Sequence, residues 1–234
     1  MRHFLLFVVL ILRAPALAQP QVDHIILAVP DLERAAAEIA ALTGVTPVFG
    51  GAHTGRGTGN YLLALGPRTY LEILGPYGEA GSDGFAAHLT RLPGPTLMGF
   101  AVSGAPLEKV KQALADAQIN TSEITPGSRE KPDGTVLRWR AMGADAPQLG
   151  VQMPFFIDWG DSAHPATTSP SGARLTRLTV GHPAHEPLQA AITASGEPAT
   201  VVKSLTPILV AELETPNGPV MLTGTTGVPV FSDD

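Results

Sequence analysis

The stretch that decides the fold is residues 23–44, DHIILAVPDLERAAAEIAALTG. Its first part is rich in β-branched side chains and predicts a strand, which Pro30 ends. Asp31 is a favourable N-cap for the segment that follows. Apolar residues then recur at helical spacing as far as Leu42, and Gly44 supplies a stop. The stretch therefore predicts a strand followed directly by a helix.

Working outward from this stretch, three more strands complete a βαβββ unit. They lie at residues 45–49, 61–65 and 70–74, separated by glycine-containing turns. The same order of strands and helix returns later in the chain. A constant offset in residue number aligns Leu32-Glu33 with Leu107-Glu108. The sequence therefore predicts two βαβββ modules, at residues 22–76 and 97–160.

The later units differ from the first in detail. In the second module the helix follows Pro106, which suits a first helical position. A weaker third βαβββ-like module is predicted at residues 174–226, after a Ser-, Thr-, Pro- and Gly-rich linker or lid at 161–173. The strands predicted for the second module lie at 98–102, from 124 onward, at 136–142 and at 151–157.

These repeats predict an α+β fold of a particular kind. Each module can form a curved sheet covered by one helix, and two such sheets side by side form an open cup. A concave surface of this kind is where small-molecule sites are found. Residues 22–160 are therefore expected to form the functional domain.

Composition limits the chemistry open to the chain. Its 234 residues are 44% hydrophobic and 15% charged, so it is expected to fold. A net charge of −6 argues against nucleic acid as a partner. Cysteine is absent, so any metal must bind to His, Asp or Glu side chains. No nucleotide cofactor is expected, because the glycine-rich segment 50–60 leads into a strand and not into a helix N-terminus.

Residues 1–18, MRHFLLFVVLILRAPALA, are typical of a bacterial secretory signal peptide. An apolar run, Phe4 to Leu12, follows a short polar start, and Ala16-Leu17-Ala18 fits a cleavage site after Ala18. The apolar run is too short to span a bilayer, and an uncleaved N-terminal anchor is the alternative. We expect a periplasmic or secreted protein, monomeric or homodimeric, that acts on a small molecule and not on a membrane.

Two polar residues are predicted to share the concave face. His24, Ile26 and Ala28 alternate onto one face of the first strand, and Glu72 lies on one face of the fourth. Because these two strands can be neighbours in such a unit, His24 and Glu72 could face the same cavity. An imidazole and a carboxylate suit a divalent first-row metal. The pair is therefore either part of a metal site or a hydrogen-bonded pair.

The glycine-rich segment carries two further candidates. Its glycines could let His53 and Asn60 approach the cup. There His53 could complete a metal shell or act as a catalytic base near neutral pH, and Asn60 could bind substrate. A flexible hairpin without a function is the alternative.

The end of the second module supplies candidates for substrate binding. Arg138 and Trp139 lie on opposite faces of one strand, and an arginine facing the cup could clamp a substrate carboxylate. An ordinary exposed arginine is the alternative. Asp158, Trp159 and His164 stand where the last strand gives way to the linker, and they could close over the cup.

The sequence resembles the glyoxalase-like branch of the vicinal oxygen chelate superfamily. The resemblance is carried by DHIILAVPDLERAAAEIAALTG, which contains His24, and by TYLEILGP, which contains Glu72. GGAHTGRGTGNYLLALG, TVLRWRAMG and PFFIDWG are similar to that branch too. The resemblance implies paired modules around a metal site, and lyase, isomerase, dioxygenase or epimerase activity on substrates whose oxygens bind the metal. Some members of the superfamily bind ligands without a metal.

Carried over residue by residue, the resemblance implies that His24 and Glu72 are ligands of one divalent metal, Zn, Ni, Mn or Fe. At the shift that lays Leu32 over Leu107, the counterpart of His24 is Gly99, and the last strand offers only Gln152 as a weak oxygen ligand. The chain is therefore expected to be a metal-dependent enzyme or a binding protein without catalysis. A third interpretation is a scaffold whose cup is filled by its own side chains.

Overall fold

The computed structural model of the chain describes residues 21–53, 55–78, 84–196 and 198–225. The predicted signal peptide and its cleavage site lie outside these residues. In the part of the chain that is described, no helix is long and apolar enough to cross a membrane. Two sheets and a few short helices make up this part, so the predicted α+β fold class is confirmed.

The first module follows the predicted order. Its elements are β1 (Gln21–Ala28), α1 (Leu32–Thr43), β2 (Val48–His53), β3 (Thr58–Gly66) and β4 (Thr69–Pro76). The Asp31 carboxylate caps α1 by accepting a hydrogen bond of 3.1 Å from the backbone N–H of Arg34. Gly44 ends the helix with φ of 74°, a left-handed conformation that glycine adopts without steric cost. The two signals read from the sequence therefore mark the true ends of the helix.

The second module follows a short helix, α2 (Phe85–Leu89). Its elements are β5 (Thr96–Ser103), α3 (Leu107–Asp116), β6 (Asn120–Thr121), β7 (Thr125–Glu130), β8 (Val136–Asp145) and β9 (Phe155–Asp158). The predicted strand at 151–157 is wrong in its first half, because Pro147–Gln152 forms a 3-10 helix. Gly150 has φ of 58° there, and Pro154 has no N–H to donate to a neighbouring strand. The last strand therefore begins only at Phe155.

The two modules share one curved sheet. In the described residues it has nine strands in the order β2-β3-β4-β1-β5-β9-β8-β6, with β7 paired to β8. At its centre β1 runs parallel to β4 and antiparallel to β5. Its outer edges meet where Arg129 of β7 donates a hydrogen bond to the carbonyl oxygen of Gly50 on β2. This curvature makes the predicted cup.

The third unit repeats the order of elements but not their pairing. Its elements are β10 (Arg174–His182), α4 (His185–Ala194), β11 (Thr200–Lys203), β12 (Ile208–Thr215) and β13 (Gly218–Thr225). The strand order is β11-β10-β12-β13, so the first strand pairs in parallel with the second strand of the unit. In the first module the first strand pairs in parallel with the fourth. The third unit therefore does not form another half of the cup.

The third unit instead covers the convex face of the large sheet, together with α1 and α3. Ile25 and Phe100 of the large sheet share one apolar cluster with Val180 and Leu188 of the third unit, and all four are fully buried. Burial of this apolar surface is the main stabilising contribution to the fold. The convex side is thus a packed core, and the concave side is left for a functional site.

Candidate functional site

His24 and Glu72 meet on the concave face, as their strand positions predict. The parallel register pairs His24 with Tyr70 and Ile26 with Glu72. As a result, Nε2 of His24 lies 3.7 Å from Oε2 of Glu72, and the side chains are only 4% and 10% exposed. The imidazole also stacks on the Tyr70 ring, with centroids 4.6 Å apart. The pair therefore lies in a site that is largely shielded from solvent.

The hairpin of β2 and β3 brings His53 and Asn60 to the other oxygen of the carboxylate. Nδ2 of Asn60 donates a hydrogen bond of 2.6 Å to Oε1 of Glu72. Nε2 of His53 lies 3.6 Å from the same oxygen, and its Nδ1 lies 3.0 Å from the hydroxyl of Thr58. The antiparallel register that pairs His53 with Thr58 sets this geometry. Glu72 is thus held between two imidazoles, one beside each oxygen.

The groups around Glu72 keep its carboxyl ionised near neutral pH. Burial alone would raise the pKa of Glu72, but its neighbours outweigh burial and hold that pKa below its ordinary value. These neighbours are the imidazoles of His24 and His53, the amide of Asn60 and the guanidinium of Arg129. Burial lowers the pKa of His53, although the charge of Glu72 opposes this shift. The site therefore presents a carboxylate beside a neutral His53 imidazole.

Arg129 is a site residue that the sequence analysis does not single out. Its side chain is buried and bonds across the closed edge of the sheet to Gly50. Burial lowers the pKa of the guanidinium, and the nearby charge of Glu72 opposes that shift. Its positive charge stabilises the Glu72 carboxylate. No local pattern marks Arg129, because its burial follows from contact between β7 and β2, which are far apart in sequence.

Asp23 is a second residue that sequence analysis misses. A regular strand would place Asp23 and His24 on opposite faces. The pairing of β1 with β5 shifts register between Val22 and His24, and this bulge breaks the alternation. Asp23 therefore lies beside His24, fully buried, with its Oδ1 2.8 Å from Nδ1 of the imidazole.

Two side chains from the end of the second module also bind Asp23. Nε1 of Trp159 donates a hydrogen bond of 3.1 Å, and Nε2 of His164 lies 3.0 Å away. The N–H of Ala166 donates to Nδ1 of His164, which leaves the hydrogen of that ring on Nε2. Burial alone would raise the pKa of Asp23, but the hydrogen bonds from His164 and His24 hold it far below its ordinary value. Asp23 is thus an ionised carboxylate, which can accept hydrogen bonds but cannot donate them. Nδ1 of His24 therefore carries a hydrogen and donates it to Asp23.

The linker at 161–173 packs over one end of the cup. The N–H of Ala64 on β3 donates a hydrogen bond of 2.9 Å to the carbonyl oxygen of Pro170. Trp159 and Ala166 join the apolar cluster that contains Tyr70. Trp139 packs on Trp159, with ring centroids 5.3 Å apart, and so lies in the same cluster. The arrangement is that of a closed lid, held by the hydrogen bonds to Asp23.

The structure places three of the predicted site residues elsewhere. Arg140 bonds to Glu108 of α3 and to Asp158, at 2.8 Å in each case, on the convex side of the sheet. Arg138 alternates with the cup-facing residues of β8, is exposed, and shares that convex side. Gln152 lies in the 3-10 helix, fully buried, and its amide has no hydrogen-bond partner among the described residues. The structure therefore does not bring these three residues, Arg138, Asp158 and Gln152, together with His24 and Glu72.

The donors in the cup do not fit the metal centre that the resemblance implies. His24 and His53 approach different oxygens of Glu72, at 3.7 Å and 3.6 Å. Among the described residues, no group of three or more His, Asp or Glu side chains is arranged to hold a metal ion. Gly99 has no side chain and Gln152 lies off the last strand, so neither expected position in the second module completes the set.

The paired βαβββ modules, with a histidine and a glutamate on neighbouring first and fourth strands, form the arrangement that the resemblance to the vicinal oxygen chelate superfamily implies. Residues 22–196 match the sequence model of a family described as the glyoxalase-like domain. The chain belongs to this family, which confirms the resemblance seen in its sequence. A comparison with curated proteins gives no match.

Solved structures resemble the chain at low sequence identity. A hypothetical protein from Staphylococcus aureus gives a TM-score of 0.60 at 16% identity, over 90% of this chain and 87% of that chain. The methylmalonyl-CoA epimerase from Mycobacterium tuberculosis gives a TM-score of 0.43 at 20% identity, over 63% of this chain and 91% of that chain. At 16% identity the likeness to the Staphylococcus aureus protein concerns the fold alone.

Proposed function

We propose that this chain is an exported small-molecule enzyme of the lyase or isomerase type, in which Glu72 moves a proton. One observation carries the proposal: Glu72 is buried and ionised, and it lies between two imidazoles on the concave face. A positioned base of this kind is what proton abstraction requires. Membership of the glyoxalase-like family supports a small substrate with adjacent oxygen atoms.

The neighbours of Glu72 have distinct roles in this proposal. Asn60 binds Oε1, so Oε2 is the oxygen left to accept a proton. Asp23 holds His24 through Nδ1, so Nε2 of His24 faces Oε2 and can accept a hydrogen bond from a substrate hydroxyl group. Arg129 stabilises negative charge in the site. The side chains of His24 and Glu72 are only 4% and 10% exposed, and such shielding from solvent strengthens these interactions.

The proposed step conserves atoms and charge. A proton leaves the carbon beside a carbonyl group and binds Oε2 of Glu72, while the electron pair of that bond moves to the carbonyl oxygen. In an α-hydroxy ketone, the hydroxyl proton on that carbon then passes through Nε2 of His24 to the former carbonyl oxygen, and the proton on Oε2 returns to the former carbonyl carbon. The carbonyl and hydroxyl groups have then exchanged places, and Glu72 and His24 are restored. The step contains no metal, because the donors in the cup do not fit one.

Hydrogen exchange tests the proposed step. With hydroxyacetone and other α-hydroxy ketones in deuterium oxide, the wild type is expected to replace the exchangeable carbon-bound hydrogen, seen as a loss of proton NMR signal. Glu72→Gln is expected to slow exchange by roughly 100-fold or more, because general bases contribute about 10²–10⁴-fold. Asp158→Asn, on the convex side, should leave the rate unchanged. No exchange above the protein-free rate for any of these ketones would refute the reaction.

Ligand binding without catalysis is the second candidate function. Gly99 favours it, because the second module lacks a side chain at the position that corresponds to His24. This candidate predicts that ligands raise the thermal unfolding temperature and that a chelator leaves the rise intact. It also predicts that Glu72→Gln lowers the affinity for the ligand and that neither the variant nor the wild type catalyses a reaction.

Export is the remaining part of the proposal. Residues 1–18 support it, through the apolar run and the small residues that precede a cleavage site after Ala18. N-terminal sequencing of the protein recovered from the periplasm or the medium is expected to begin at Gln19. An intact Met1 on that protein would contradict cleavage and favour the anchor.

A further inference from the structure

A pseudo-two-fold axis relates the two modules and identifies the counterpart of His24. The offset in residue number that aligns Leu32 with Leu107 also aligns β1 with β5 over their whole length. It aligns the start of α1 with the start of α3 as well. The antiparallel register pairs His24 with Ala101 and Ile26 with Gly99, as such an axis requires. Gly99 is therefore the structural counterpart of His24, as the sequence repeat predicts.

The same axis assigns Phe155 as the counterpart of Glu72. In the first module Ile26 pairs in parallel with Glu72. Ala101 is the counterpart of Ile26, and it pairs in parallel with Phe155. The Phe155 ring packs edge-on against the His24 imidazole, with centroids 5.3 Å apart. The second half of the site thus carries a glycine and a phenyl ring where the first half carries an imidazole and a carboxylate.

The space above Gly99 is open although the residue itself is buried. Among the residues that the structure describes, a Cβ built on Gly99 would have no heavy atom within 4 Å apart from its chain neighbours. At Gly75, on β4 of the same sheet, a Cβ would lie 3.0 Å from Leu32 and from Val29. The open space is therefore a property of this position, which lies two residues along β5 from Ala101, the residue that pairs with His24.

We infer that the chain has replaced the second half of the family's metal centre by an apolar ligand pocket over Gly99, bounded by His24 and Phe155. The inference rests on the proposed function, because a ligand in this pocket presents its reacting end to Glu72. Oε2 of Glu72 accepts hydrogen bonds, and a phenyl ring favours a flat apolar partner. The ligand class is a compact molecule with a hydroxyl or amino donor at one end and a planar apolar body.

Metal ions alone test the loss of the metal centre. In the wild type, Zn²⁺, Ni²⁺ or Mn²⁺ is not expected to cause a rise in Tm that depends on His24, that is, a rise that is lost in His24→Ala. Gly99→His adds a third ligand in open space, and Gly99→His with Phe155→Glu adds a fourth. At least one of these variants is expected to gain several degrees of metal-dependent Tm that His24→Ala abolishes. A rise in the wild type that depends on His24, or no rise in either variant, would overturn the inference.

Phenol and toluene test the pocket, since both are flat and only phenol carries a donor. Phenol is expected to raise the Tm of the wild type more than toluene, and Gly99→Leu, which fills the space, to remove the rise. Gly94→Leu is the matched control, because a Cβ at Gly94 also meets no atom of the described part of the chain within 4 Å. An equal phenol effect on the wild type and Gly99→Leu, or none on the wild type, would overturn the pocket.

Failure of the proposed function has a different signature from failure of this inference. If Glu72 moves no proton while the pocket exists, deuterium exchange is absent but the phenol effect and its loss in Gly99→Leu remain. If the pocket is wrong while Glu72 acts, exchange persists in Gly99→Leu at the wild-type rate.

Discussion

At the scale of single residues, Asp23 determines how the site is assembled. Its carboxylate accepts hydrogen bonds from His24 on β1 and from Trp159 and His164 near the lid. Hydrogen bonds to a buried carboxylate are stronger than those between neutral groups. One side chain thus orients the imidazole that faces Glu72 and attaches the lid to the cup.

Asp23→Asn is expected to lower the free energy of unfolding by about 3 kcal/mol. An amide cannot accept from all the donors around Asp23, and losing one partner of a buried charged network costs on this order. Urea denaturation at neutral pH measures the loss. Asp158→Asn, whose partner Arg140 is exposed, is the control and is expected to cost less than about 1 kcal/mol. Equal losses in the two variants would contradict this role for Asp23.

Asp23 also makes the stability depend on pH. Its pKa is far lower in the folded protein than the unfolded value of about 3.9. Its contribution to stability is therefore fully present above the unfolded pKa and is lost as the pH falls toward the folded one. The difference in unfolding free energy between the wild type and Asp23→Asn is expected to shrink between about pH 5 and about pH 2. A difference that stays constant over this range would count against the assignment.

At the scale of elements, capping residues and one bulge set the positions of the site strands. The cap at Asp31 and the stop at Gly44 fix where α1 begins and ends, so β1 leads straight into the helix that covers it. The bulge after Val22 turns Asp23 toward the cup. Local sequence encodes the first two features, whereas the bulge exists only because β1 pairs with β5.

Asp31→Ala is expected to destabilise the fold by about 1 kcal/mol, because the N–H of Arg34 loses its acceptor. Asp31→Asn keeps an acceptor at the N-cap and should stay close to the wild type. Chemical denaturation of both variants measures the difference. If the two variants lose the same free energy, charge near the helix N-terminus and not the cap is responsible.

At the scale of the whole molecule, the third unit shares one hydrophobic core with the two modules. The family match extends to residue 196 and so includes β10 and α4. Side chains of these elements share a single apolar cluster with the large sheet. The unit therefore supports the cup from behind and is expected to unfold together with it.

Leu188→Ala is expected to destabilise the protein by about 2–5 kcal/mol, because Leu188 is fully buried in the shared cluster. Unfolding followed by tryptophan fluorescence should shift as one transition, since both tryptophans lie in the second module and not in the third unit. Leu205→Ala is the control, because Leu205 is 97% exposed. A separate early transition that leaves the tryptophan signal unchanged would show that the third unit folds on its own.

Part of the site follows from local patterns. Strand alternation places His24 and Glu72 on one face, and the glycine-rich hairpin brings His53 and Asn60 to them. These relations depend on spacing within one module, which is visible in the sequence. Arg138 shows the limit of such reasoning, because alternation alone cannot tell which face of β8 is concave.

The sequence by itself determined the order of elements, the ends of α1, the repeat of the module and the pair on β1 and β4. Each of these depends on residues close together in the chain or at a fixed offset. Only the tertiary structure decided the roles of Asp23 and Arg129, the 3-10 helix before β9, and the pairing of the third unit. These depend on contacts between distant strands, whose register and curvature are set by packing of the whole core and not by local preference.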